Sequence, residues 1–72
     1  MSTRAKIVRM INQIADNVQN EVDPASATAE HIRLFWDPRM RALLLEDETD
    51  GLNETAARAR AQLRGLFSNF AL

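Results

Sequence analysis

A chain of 72 residues with no cysteine, one histidine and a net charge of −1 excludes several classes at once. Disulfide scaffolds, thiolate metal sites, iron–sulfur clusters and nucleophilic thiols all need cysteine, and one histidine cannot build a zinc site. Nine basic against ten acidic residues do not leave the basic footprint of a nucleic-acid binder.

Size sets the next constraint. A domain this small buries only about 60% of the surface of its unfolded chain. Its core rarely supplies more than about 3–5 kcal/mol. With no disulfide and no evident metal set, a partner chain is the expected staple. The opening residues, "MSTRAKIVRMINQ", hold no long apolar run, and the longest uninterrupted one, Ala42 to Leu45, is far too short for a bilayer. A cytoplasmic chain with no membrane contact is expected.

The pattern predicts an all-α fold, a small bundle of three to four short helices at about 3–20, 24–36, 38–46 and 53–70, in a single domain over 1–72. In the first, Ile7, Met10, Ile11, Ile14 and Val18 recur at the spacing of one helix face. Ser2 or Thr3 can cap it, and Arg4, Asn12, Asp16 and Asn20 fall on its other sides. Asp23-Pro24 opens the second: Asp is a good N-cap, and Pro at the next position loses no helical bond. Ala25, Ala29, Ile32, Phe35 and Trp36 continue the apolar face, while Ser26 or Thr28 offers a later start.

Asp37-Pro38 repeats the signal. Within one continuous helix Pro38 would clash with the carbonyl of Leu34, and the residue before proline is pushed out of helical conformation. The chain therefore stops at Asp37 and restarts at Pro38, with Met40, Leu43 and Leu44 inward. Residues 46–54 hold five acids and no base. The acidic loop ends in Gly51, and Asn53 caps the fourth helix, whose stripe is Ala56, Ala59, Leu63, Leu66, Phe67 and Phe70. Glu54 in its first turn and Arg64 near its end suit the helix dipole, and Glu54 with Arg58 forms an i, i+4 pair. No stretch alternates with period two, so no strand is expected.

Catalytic constellations are missing from the pattern. There is no glycine-rich phosphate loop and no G-x-S-x-G elbow. The acidic run lacks the ligand ladder of a calcium loop; a solvated turn is its first reading and a partner-facing patch its second. The unusual chemistry gathers in "HIRLFWDPRMR", His31 to Arg41. His31 has no third group to orient it as an acid or base, so it reads as a boundary residue. Phe35 and Trp36 read either as core or as contact residues. Arg41 pairs with Asp37 or solvent and Arg39 is a surface charge, or one of them reaches a partner carboxylate. Trp and Arg are enriched at interface hot spots. The candidate partner interface is therefore His31, Phe35, Trp36, Arg39 and Arg41, with Phe67 and Phe70 near the end of the chain adding apolar surface. Asp23, Asp37 and Asn53 are the structural caps.

This segment resembles the motif of the delta subunit of cytoplasmic, NAD-dependent, molybdenum-containing formate dehydrogenases. "IVRMINQIA", Ile7 to Ala15, is similar to an upstream helix of that family, at a similar distance. The likeness covers roughly residues 4–46; "GLNETAARARAQL" fits more loosely and "RGLFSNFAL" departs from the pattern. The resemblance implies a small accessory subunit with no cofactor and no catalytic residue, associated with assembly or stability of the active enzyme. It implies an alpha subunit carrying molybdopterin guanine dinucleotide and iron–sulfur clusters as the main partner. Beta and gamma subunits would carry FMN, further clusters and the NAD site. Two alternatives stand beside it: a transient assembly factor for the molybdenum-cofactor-bearing subunit, and, against the charge balance, a helical DNA-binding module. Self-association is expected of the isolated chain if its apolar stripes stay uncovered.

Overall fold

Two Asp-Pro steps and one glycine turn divide the chain. The computed structural model describes residues 3–46 and 50–68, arranged as α1 (Thr3–Asn17), α2 (Pro24–Phe35), α3 (Pro38–Leu45) and α4 (Glu54–Ser68). The fold is all-α, with no strand among the described residues. Its radius of gyration is 11.4 Å, against about 11 Å expected of a folded globule of this length.

Local chemistry accounts for most of the boundaries. At α2, the Asp23 carboxylate accepts from the Ser26 amide at 3.2 Å and from the Ser26 hydroxyl at 2.8 Å, with Pro24 in the first turn. At α3, the Asp37 carboxylate accepts from the Met40 amide at 2.8 Å, again with proline following. At α4, the Asn53 side chain accepts from the Ala56 amide at 2.7 Å. All three expected caps are therefore in place. The first helix differs from expectation. It ends at Asn17 rather than Asn20, because the Gln19 side chain donates to the Ala15 carbonyl at 2.7 Å and takes the acceptor that a further turn of helix would use. Val18 then sits in a turn, and Thr3 lies inside the helix rather than capping it. Trp36 and Glu46 are C-caps rather than helical residues. Residues 69 and 70, expected to extend α4, lie outside the described residues.

The core collects one face of each helix. Ile7, Ile11 and Ala15 come from α1, Ala29 and Ile32 from α2, Leu44 from α3, and Ala56, Ala59 and Leu63 from α4, with Trp36 at the end of α2. Met10, Ile14, Met40, Leu43, Leu45 and Leu52 pack around them, half-buried. The α4 helix lies chiefly on α2 and also touches α1 and α3, so it closes the bundle. Small residues line the buried faces of α2 and α4: Ala25, Ala29 and Thr28 on one, Ala56 and Ala59 on the other. Without bulk at those positions the two backbones can approach closely. Thr28 hides its hydroxyl by donating to the Pro24 carbonyl at 2.8 Å.

Two polar devices hold the parts in register. Asn12, on α1, donates to the Gly51 carbonyl at 2.8 Å and accepts from the Asn53 amide at 2.8 Å. This clasp ties the start of α4 to the middle of α1. Gly51 itself has φ of +91°, a conformation that favours glycine, while an added Cβ would meet the Val8 side chain only at an ordinary contact distance of 3.4 Å. At the other end of the loop, Arg60 donates to the Leu44 carbonyl at 2.8 Å and Arg64 to the Leu45 carbonyl at 2.9 Å. Both carbonyls belong to the last turn of α3, which has no intrahelical donor for them.

Two measurements check this description. Asn12→Ala removes both halves of the clasp and is expected to cost about 1–3 kcal/mol, a fall in Tm of roughly 5–15 °C by circular dichroism. The Asp23 carboxyl sits below the usual aspartate value because of the Ser26 hydroxyl first and the Ser26 amide second. The folded chain thus keeps it ionised to lower pH than the unfolded chain does. Its contribution is complete above the unfolded value of about 3.9 and is lost as pH falls through the folded one. The stability advantage of the wild type over Asp23→Asn should therefore shrink as pH falls below about 4 in thermal melts.

Candidate protein-contact site

The segment with the densest chemistry runs through the break between α2 and α3. Trp36 leaves α2 in an extended conformation, its amide still donating to the Ile32 carbonyl at 3.0 Å, and Asp37 is extended as well. The result is an elbow that sends adjacent side chains to opposite environments. Trp36 is 7% exposed and part of the core, whereas Phe35 is 73% exposed. Leu34 is 56% exposed. His31 is exposed and its ring packs on that of Phe35, centroids 4.9 Å apart at a tilt of 44°.

The charges around the elbow are mostly committed. Arg33 grips Glu30 through two hydrogen bonds, Nε at 3.1 Å and a terminal nitrogen at 2.6 Å. That pairing holds the Glu30 carboxyl below its ordinary value and the Arg33 guanidinium above its own. Arg41 is half-buried and donates to the Arg33 carbonyl at 3.1 Å, so a side chain from α3 caps the last turn of α2. Asp37 spends its carboxylate on the Met40 amide. Arg4 pairs with Glu46, and Arg58 with Glu54 at 2.8 Å. Among the described residues, Arg39 is the arginine left without a hydrogen bond or ion pair.

These positions correct several expectations. Trp36 is not available as a contact residue, because the C-cap turn carries it into the core beside Ile32 and Leu44. Phe35 is not core, since the same turn leaves it outside. Arg41 does not pair with the Asp37 carboxylate, which the helix start already uses; it caps α2 instead. Leu66, expected in the buried stripe, is 40% exposed. His31, Phe35 and Arg39 do lie at the surface. The Phe67 side chain and Phe70 lie outside what is described. Leu34 was missed, although it stands two residues from buried Ile32 and so on the opposite side of α2. Of the acidic loop, Glu46 and Asp50 are exposed and Glu46 pairs with Arg4, while residues 47–49 lie outside the described part.

Beside the elbow, α2, α3 and α4 enclose an open cleft of about 720 Å³, with Ala29, Leu63 and Leu66 as apolar lining and Glu30, Arg33 and Arg41 among its polar residues. No group of three or more potential metal ligands occurs among the described residues, and no helix there is long and apolar enough to cross a membrane.

The geometry is thus that of an all-α miniature with many of its polar side chains used in caps and two large apolar side chains, Leu34 and Phe35, left outside. Comparison makes this particular. Residues 6–60 match the family described as "NADH-dependant formate dehydrogenase delta subunit FdsD", and the chain belongs to that family. The matched range contains most of α1, all of α2 and α3, and the first half of α4. No match was found among curated proteins or among solved structures. Family membership makes the chain a subunit type of an oxidoreductase complex, one that associates with other subunits.

The opposite placement of neighbouring aromatics has a direct consequence. Trp36→Ala is expected to cost about 3–5 kcal/mol, as much as a core of this size supplies, and to leave the chain largely unfolded at 25 °C. Phe35→Ala should stay within about 0.5 kcal/mol of wild type. Urea unfolding followed by circular dichroism distinguishes the two.

Proposed function

We propose that this chain is a non-catalytic accessory subunit of an NAD-dependent formate dehydrogenase, bound in the cytoplasm to the catalytic alpha subunit and sharing a complex with beta and gamma. It supports assembly or stability of the active holoenzyme. The redox groups (molybdopterin guanine dinucleotide, iron–sulfur clusters, FMN and NAD) belong to those partners in this reading. The observation that carries it is the family match over residues 6–60. The use of the ionisable side chains supports it further. Asp23 and Asp37 cap helices, Glu30 and Glu54 hold arginines, Arg41, Arg60 and Arg64 close helix ends, and His31 packs on Phe35. Each is occupied with structure.

The test is deletion of this chain's gene in a host that keeps the other subunits. Purification through the alpha subunit is expected to yield less assembled enzyme, or enzyme that inactivates at lower temperature, with turnover per molybdenum unchanged. A fall in turnover per molybdenum in otherwise intact enzyme would contradict the non-catalytic reading. Absence of the chain from active wild-type enzyme would replace the stable subunit with a transient assembly factor.

A further inference from the structure

We propose that the outward side of the elbow, the knob of Leu34 and Phe35 backed by His31 with Arg39 beyond the turn, docks into an apolar pocket rimmed by carboxylates on a partner subunit. The inference rests on the accessory-subunit reading and specifies its contact surface.

The apolar part comes first. Two large side chains at adjacent positions are more than half exposed, at the end of a helix whose opposite face is fully buried. Phe35 is not loose: the His31 ring packs against it, and the backbone on either side is fixed by Ile32 and Trp36 in the core. A preorganised aromatic loses little conformational freedom on binding. Exposed apolar groups of this kind mark interaction sites when they cluster.

Charge then selects the occupant. Arg39 stands four positions after Phe35, so their Cα atoms lie within about 14 Å, inside the footprint of one ordinary interface. The nearby carboxylates of Glu30 and Asp37 are engaged by Arg33 and by the Met40 amide. Arg39 has no such partner among the described residues. The patch therefore presents apolar surface with an uncommitted guanidinium, which fits a planar carboxylate on the facing protein. A second copy of the chain fits less well. A two-fold contact through the knob would bring the two Arg39 groups toward each other. Insertion of one knob into the cleft of another copy would set Arg39 against Arg33 and Arg41, and the carboxylate in that lining, Glu30, is already held by Arg33.

The experiment uses formate dehydrogenase complex purified from a host lacking this chain, immobilised and titrated with the full-length chain. Phe35→Ala and Arg39→Glu should each weaken binding about tenfold or more, with helicity and Tm retained, and Arg39→Lys should weaken it less than Arg39→Glu. Leu66→Ala, in the cleft, should bind as wild type does. If folded Phe35→Ala and Arg39→Glu bind like wild type, the knob is not the anchor, and the accessory-subunit reading survives. If the wild-type chain fails to bind the complex at all, that reading falls. If the two variants instead abolish dimers of the isolated chain, seen by light scattering, while leaving binding to the complex unchanged, a second copy is the occupant and the proposal is overturned.

Discussion

The backbone break at Asp37-Pro38 is the constraint on which the rest of this small protein depends. Proline cannot continue α2, and it forces Asp37 into extended conformation. The chain turns there, and the turn does three things together. It drops Trp36 into the core, it returns α3 so that Leu44 is fully buried, and it brings the Arg41 guanidinium to the Arg33 carbonyl at the end of α2. A straight helix through residues 24–45 would achieve none of these, and α4 would have no pocket to close.

Arginine has an unusual office in the fold. The chain has far more arginine than lysine, and several of these guanidiniums reach main-chain carbonyls rather than carboxylates: Arg41 at the end of α2, Arg60 and Arg64 at the end of α3. Short helices leave a large share of their carbonyls without intrahelical donors. A fork with several N–H groups can satisfy them from a neighbouring element and tie the two elements together. This gives a chain without disulfides a polar framework around a core limited by its size. It also explains why Arg39 stands out, since its relatives in the chain are already employed.

Much of this was legible in the sequence. Asp-Pro twice, Asn53 before an acidic first turn, and the i, i+4 spacing of Ile7 with Ile11 or Ala59 with Leu63 are local signals with local causes, and all four helices follow from them. The division between Phe35 and Trp36 was not legible. They stand three and four residues after Ile32, so helical periodicity admits both to one face; only the C-cap geometry separates them. The clasp of Asn12 on Asn53 and the reach of Arg60 and Arg64 were invisible for a different reason. Polar side chains on helix faces carry no periodic mark of a partner 16 to 41 residues away. Of the residues expected at a contact surface, Trp36 is therefore spent on the core and Arg41 on capping α2, while Leu34, which was not among them, stands exposed.

The most direct test of this division is hydroxyl-radical footprinting of the chain, free and incorporated in the formate dehydrogenase complex, read residue by residue by mass spectrometry. Leu34 and Phe35 should oxidise readily in the free chain and become protected in the complex, while Trp36, intrinsically among the more reactive side chains, stays protected in both. Ready oxidation of Trp36 in the folded free chain, or undiminished oxidation of Phe35 in the complex, would contradict it.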